Sequence, residues 1–418
     1  MNGSPMPLPL FAGYGIELEY MIVDRETLDV RPLADELLRA VAGDYVAEVE
    51  QGPTAWSNEL VLHVIELKTN GPARQLEDLP AAFQADIHRI DELLAPLGAR
   101  LMPGAMHPWM DPSREARLWP HEYNPIYQAF DRIFGCAGHG WSNLQSTHIN
   151  LPFADDREFA RLHAAIRLVL PILPALAAGS PVVEGRITGV MDSRLEAYRL
   201  NARRIPSITG QVVPETVSSR SEYETRILAT MYRDIAPHDP DGILRHEWLN
   251  ARGAIARFER CAIEIRVLDI QESPLADLAI AAASVAVLKA LTEERWTSLV
   301  HQQTQRTAQL SDIFVACVRD GERAVIRHAD FLECFGFSRQ RVCTAQELWQ
   351  HVVEAVAFGL DGNGAPWRPA LNVILNHGCL ARRLLRALGR DGSKQRIKNV
   401  YRTLCDCLVE GRLFLGAN

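Results

Sequence analysis

The sequence predicts an α+β fold, with strands before residue 270 and helices after it. Two observations carry this. Segments at 15–22, 57–69, 146–151 and 261–269 set polar residues against an apolar background, and all but 57–69 alternate strictly, as a strand does. From residue 271 onward the chain reads as almost wholly helical, beginning with an Ala-rich stretch over 275–300.

The first strand contains Gly15-Ile16-Glu17-Leu18-Glu19-Tyr20. Ile16, Leu18, Tyr20 and Ile22 take one face, and Glu17, Glu19 and Met21 the other. The two acids then stand about 7 Å apart. Like charges in a poorly solvated place repel by roughly a few kcal/mol, so a cation is expected between them. Residues 33–42 read as a short helix. The apolar run 57–69 holds Glu59, His63, Glu66 and Lys68. Residues 74–97 form an amphipathic helix, with Leu76, Leu79, Phe83, Ile87, Ile90, Leu94 and Leu97 at spacings of three and four. Pro80 falls near its first turn, where proline is tolerated. Residues 99–106 read as a strand that enters a loop over 107–125 rich in Pro, Trp and His.

In 146–151, Ser146, His148 and Asn150 share one face. Residues 155–178 read as an apolar helix kinked at Pro171 and Pro174. Residues 179–220 are turn-rich with many arginines, and 221–235 are helical. In 261–269, Cys261, Ile263, Ile265 and Val267 take one face, while Glu264 and Arg266 lie side by side on the other. Helices follow near 305–319, 345–358, 370–388 and 394–411, with the Gly-rich piece 359–369 ahead of the last two. One shared polar concavity explains four such strands better than four solvated surface strands. The expectation is therefore a single domain over 1–418, with a sheet-bearing core at 13–270 and a helical part at 271–418.

Composition bounds the function. Apolar content of 47% and charged content of 23% are those of a globular protein. A net charge of −8 argues against a general nucleic-acid or anionic-membrane binder, which needs a basic stripe. The start MNGSPMPLPLF lacks the features of a signal peptide. The apolar run Leu275 to Leu291 holds Asp277 and Lys289 and reads as a buried helix rather than a membrane span. The eight cysteines have no zinc-knuckle spacing, so a reduced, cytoplasmic protein is the expectation.

The candidate ligands are carboxylates with one well-placed histidine. That hard, oxygen-rich set suits Mg²⁺ or Mn²⁺. No HExxH, P-loop, GxGxxG or GxSxG occurs. A nucleotide site built on a carboxylate-lined sheet remains.

These residues carry a resemblance. GIELEY, NELVLHVIELKT, THIN and AIEIRVLDIQESPLADL, in this order, resemble the glutamate–cysteine ligase type 2 family of the glutamine synthetase superfamily. The tract GSPVVEGRITG with SRLEAYR (179–199) adds to it. The likeness covers roughly 13–290, and is looser in the tail. It implies a curved antiparallel sheet whose concave face holds ATP and two or three Mg²⁺ ions. It implies an ATP- and Mg²⁺-dependent ligase that joins a carboxylate, often the γ-carboxylate of glutamate, to an amine such as cysteine through an acyl phosphate. By the same resemblance, Glu17, Glu19, Glu59, Glu66, His148 and Glu264 are metal ligands. His148 also matches a phosphate-contacting histidine, and Arg266 the phosphate-contacting arginine. Arg194, Arg186 and Asn150 fall near the substrate.

Two details depart from the family pattern. Ser146 stands where the family shows the first histidine of His-x-His, and the insert around 107–143 matches nothing recognisable. Glu59 and Glu66 are seven residues apart, so sharing a face requires a bulge, or Glu59 at the start of its strand. The expected partners are small molecules: ATP, an amino acid and an amine. Oligomeric state is left open. Two other readings fit the same sheet: a family member that binds nucleotide or amino acid without turnover, and a metal-dependent hydrolase or phosphotransferase.

Overall fold

The computed structural model describes residues 7–337, 341–356 and 365–416. Its centre is an eight-stranded, wholly antiparallel sheet built from β1 (Gly15–Asp24), β2 (Glu48–Gln51), β3 (Thr54–Asn58), β4 (Val64–Thr69), β5 (Ala99–Met102), β6 (Ser146–Pro152) and two later strands. Between these groups lies a small hairpin of β7 (Val182–Val183) and β8 (Arg186–Ile187). The later sheet strands are β9 (Ala254–Arg257) and β10 (Ala262–Asp269). The order is β2-β3-β4-β1-β6-β10-β9. The long first strand takes β4 along one edge. Its other edge is shared: β6 pairs with Gly15 to Leu18 and β5 with Met21 to Asp24.

Period two explains which face is which. Ile16, Leu18, Tyr20 and Ile22 are fully buried and join one core with Phe83, Ile87 and Ile90 of the helix Leu79–Leu94. Each buried aliphatic or aromatic side chain there stabilises by roughly 1.5–3 kcal/mol. The helix Pro274–Thr292 packs into the same core and is apolar on every side. By length and composition it could cross a membrane, but the surrounding protein covers it. On the opposite face of β1, Met21 and Val23 pack against Leu384, Tyr401 and Leu404 of the helices Leu380–Leu388 and Lys394–Glu410. The tail thus covers one end of the polar face and leaves the Glu17 end to the site. Gly253 matters for closure: a Cβ there would stand 2.5 Å from Val267 Cγ1.

Several boundaries differ from the sequence reading. The run 57–69 divides into β3 and β4 around a turn. The helix expected over 74–97 begins at Leu79, with Pro80 in its first turn. The helix expected over 155–178 breaks at its prolines into Asp156–Val169, a tight turn Leu170–Ile172 and Pro174–Ala177. The turn-rich tract contains an unexpected helix, Ser193–Asn201, started by the Asp192 carboxylate, which accepts from Leu195 N–H. The helix expected over 370–388 is two, divided at Gly378, whose φ of 87° ends the first. Residues 359–364 of the Gly-rich piece, residues 357–358 of the helix expected over 345–358, and residues 1–6 of the N-terminal reading lie outside the described residues. The eight cysteines are all free thiols.

Candidate active site

Strand register gathers the polar side chains. Glu19 faces Glu66 across β1 and β4, and Glu66 faces Ser57 across β4 and β3. One row further, Glu17 stands between Lys68 of β4 and His148 of β6. Glu264 of β10 faces Asn150 of β6. Like charges placed directly opposite are destabilising by themselves, so the other groups around them decide the balance.

Two compact groups result. Ligand atoms of Glu17, Glu66 and His148 lie within 4.8 Å of one another, as do those of Glu19, Glu59 and Glu66. Glu66 belongs to both. Glu59 reaches the group from the turn after β3, so the seven-residue spacing needs no bulge and Glu59 is not at a strand start.

Hydrogen bonds fix the carboxylates. His148 Nδ1 lies 2.6 Å from Glu17 Oε2, and Asn150 Nδ2 donates to Glu17 Oε1 at 3.0 Å. Ser146 also binds these side chains. Its N–H donates to Glu19 Oε2 at 2.7 Å, and its Oγ stands 2.8 Å from His148 Nε2. Ser57 Oγ donates to Glu66 Oε1 at 2.7 Å, and Lys68 Nζ bridges Glu66 at 3.4 Å and Glu48 at 2.6 Å.

The charges are unevenly shared. Burial acts to raise the Glu17 carboxyl, but the hydrogen bond and charge of His148, with Arg266 and Lys68, pull it down to about 2. Burial pulls the His148 imidazole down, and its bond to Glu17 and the charges of Glu19 and Glu17 more than offset this, holding it above its ordinary value. Glu66 is pushed up to about 7 by burial and by the Glu17 charge, against the pull of Lys68 and Ser57. Glu59 is pushed up strongly by burial and by Glu19, Glu66 and Glu17. Acid is in excess, and the excess centres on the two groups that share Glu66.

Arg266 lies at the edge of this face, its Nε 2.8 Å from Glu264 Oε1. Arg257 Nη1 holds the other Glu264 oxygen at 3.1 Å. Glu264 is thus committed to two arginines, and His148 Nδ1 is 3.7 Å from its Oε1. Its place is beside the metal-type groups, as the partner that aims Arg266. Asn150 likewise orients Glu17.

Arg194 differs most from expectation. It is buried, its Nε paired with Asp269, and its Nη atoms face the Arg266 carbonyl at 3.4 Å. It lies beneath the site and props the β10 backbone. Arg186 is exposed on the β7–β8 hairpin and is not among the gathered residues. Sequence reasoning missed Tyr198, whose buried phenol is raised by desolvation with Arg266 and Arg194 beside it. It also missed Tyr127, which receives a hydrogen bond from Asn58 Nδ2 at 2.9 Å. The segment SRLEAYR held a signal for the first; nothing in 107–143 signalled the second.

The sequence profile of glutamate–cysteine ligase family 2 matches residues 14–402. This chain belongs to that family. An uncharacterised protein of Archaeoglobus fulgidus is 39% identical over 281 residues, covering 67% of this chain and 75% of that one. A Rubrobacter xylanophilus protein named "Putative glutamate--cysteine ligase 2-3" is 29% identical over 189 residues, covering 45% of this chain and 49% of that one. The chain therefore matches about half the length of that named relative. Among solved structures, the glutamate–cysteine ligase of Francisella tularensis in complex with AMP superposes with a TM-score of 0.58 at 12% identity, over 94% of this chain and 88% of that one. The fold is thus that of glutamate–cysteine ligase, a mixed structure built on a large antiparallel sheet, and the α+β expectation holds.

Proposed function

We propose that this family member is an ATP-dependent ligase that joins the γ-carboxylate of glutamate to an amine through an acyl phosphate. The observation that carries the proposal is the pair of acid groups sharing Glu66, set beside Arg266 on one sheet face. A donor set of carboxylates with one imidazole suits Mg²⁺ or Mn²⁺, and the buried acid excess fits a cation. Glu17, Glu66 and His148 would hold one ion, and Glu19, Glu59 and Glu66 a second. Bound there, the ions supply charge neutralisation on the phosphates of ATP. The AMP held by the Francisella enzyme of the same fold supports a nucleotide co-substrate.

The side chains then do the following. The substrate carboxylate oxygen attacks the γ-phosphorus, and ADP leaves. Arg266 stabilises the charge on the transferring group. Glu264 and Arg257 fix its direction before substrate arrives, so little reorganisation is needed. Asn150 and Ser146 hold Glu17 and Glu19 in their ligating orientations. The amine next displaces phosphate from the acyl carbon, giving an amide, inorganic phosphate and a proton.

The test is ADP release from ATP and Mg²⁺ with L-glutamate, with and without a panel of amines including cysteine. ADP formed only when both substrates are present, and lost in Glu17→Gln, is the expected result and names the acceptor. Phosphate release without an amine would overturn it in favour of hydrolysis. Saturable ATP binding with no turnover on any pair would leave a binding protein.

A second expectation concerns pH. Glu66 and Glu59 have folded-state pKa values above their unfolded ones, so their protonated forms favour the fold; for Glu66 that contribution is lost as pH rises through about 7. A cation needs them ionised. The rise in thermal midpoint on adding Mg²⁺ should therefore be larger at pH 8 than at pH 6. Equal shifts at both pH values would contradict the assignment of these acids as ligands.

A further inference from the structure

We infer that the segment 107–143 positions Glu59, through Tyr127 and Asn58, and so builds the second of the two acid groups. This deepens the proposed function and rests on it. Glu17, Glu66 and His148 come wholly from neighbouring strands, so the sheet ladder alone places them. Glu59 does not share that support, because it lies in the turn between β3 and β4. A turn has few ladder bonds of its own to fix a carboxylate.

The main chain of this turn is held from outside, largely by the segment 107–143. Trp119 N donates to Leu60 O at 3.0 Å, and Leu62 N donates to Arg117 O at 2.8 Å. Val61 and Leu118 thereby form an antiparallel bridge. At the end of the turn, the fully buried His63 ring places Nε2 2.9 Å from Ser142 O. Burial pulls this imidazole down to about 4, so it is a neutral donor to that carbonyl at neutral pH.

At the start of the turn, Asn58 makes the decisive link. Its Nδ2 donates both to Glu59 O at 3.1 Å and to Tyr127 Oη at 2.9 Å. Tyr127 is carried by the helix Asn124–Phe134. Its phenol is raised by burial and next by the Glu59 charge. It stays a phenol and accepts the Asn58 bond. Tyr127 is a positioning residue: its oxygen holds the Asn58 amide, and that amide holds the carbonyl of Glu59.

The experiment follows Mn²⁺ binding to the full chain without nucleotide, by the paramagnetic resonance signal of free Mn²⁺. It compares wild type, Tyr127→Phe, Glu59→Gln and the double variant. The result expected is two Mn²⁺ sites in wild type. Tyr127→Phe should weaken one of them about fivefold, the worth of one neutral hydrogen bond, and leave the other unchanged. In the Glu59→Gln background it should add nothing, because residues acting through one another are not additive. ADP release by Tyr127→Phe should need more Mg²⁺ at unchanged kcat. Unchanged binding in Tyr127→Phe, equal weakening of both sites, or full additivity with Glu59→Gln would each overturn the inference and leave the metal assignment standing. A wild type that binds no Mn²⁺ would overturn both.

Discussion

Replacing Glu66 with glutamine is expected to abolish ligation while making the metal-free protein more stable. Glu66 is the one acid common to both ligand groups, so its charge bears on both ions. Glutamine keeps the shape, and its amide oxygen can still accept from Ser57 Oγ, as Glu66 Oε1 does at 2.7 Å. What is lost is one negative charge at the point where the two groups meet. ADP release should fall by about 10³-fold or more, because oriented charge in a desolvated site supplies a large part of such catalysis. Stability should move the other way. The Glu66 carboxyl is pushed up to about 7 in the fold. Above that pH its ionisation opposes folding, by roughly 3 kcal/mol. Glutamine does not titrate, so at pH 8 without metal the variant should unfold at a higher temperature than wild type. Addition of Mg²⁺ should then raise the wild-type midpoint and leave the variant nearly unmoved. Thermal unfolding at pH 8 with and without Mg²⁺, beside a steady-state ADP assay, reads both effects. Retained turnover would remove Glu66 from the site.

This opposition of stability and function also explains what was legible beforehand. The face shared by Glu17 and Glu19, and that shared by Ser146, His148 and Asn150, follow from period two alone. No tertiary information is needed to place them. The same rule fails in 57–69, where an apolar run without Gly or Pro conceals the turn between β3 and β4. Glu59 therefore looked misplaced by one face, though the turn brings it back to Glu66. The bulge of β10 between Ile265 and Leu268 was equally silent, because a bulge shows in pairing and not in composition. Arg194 could not be placed from its own neighbours. What buries its guanidinium is Asp269, 75 residues away. The helix Ser193–Asn201 did leave a signal in Asp192, a good N-cap ahead of Glu196 in the first turn. Tyr127 left none, since its role depends on which turn its helix meets.

The largest stability effect is expected far from the acids, at Glu272 and Arg383. Both side chains are fully buried and form an ion pair. Glu272 lies just after β10 and just before the helix Pro274–Thr292. Arg383 belongs to the tail helix Leu380–Leu388. Each makes further bonds that satisfy the desolvated charge. Arg383 donates to the Phe414 carbonyl at 2.6 Å and to the Gly378 carbonyl at 3.2 Å, and Glu272 Oε1 accepts from Phe414 N–H at 3.2 Å. The pair thus ties three separate stretches of chain to the end of the strand that carries Glu264 and Arg266. Arg383→Met would leave the Glu272 carboxylate buried with only a backbone donor. An uncompensated buried charge costs about 3–5 kcal/mol, and denaturant unfolding should show that loss. Replacing both residues by methionine should recover most of it, because neither charge is then stranded. The two results separate an anchor made of charge from one made of packing. If the single variant loses stability and the double variant recovers it, the pair holds the tail by mutual need. If both are equally unstable, the directed bonds to Phe414 and Gly378 are what the tail requires. In either case the Arg383→Met enzyme should lose ADP release at a lower temperature than wild type, since the strand end it anchors also bears Asp269, the partner of Arg194 beneath Arg266.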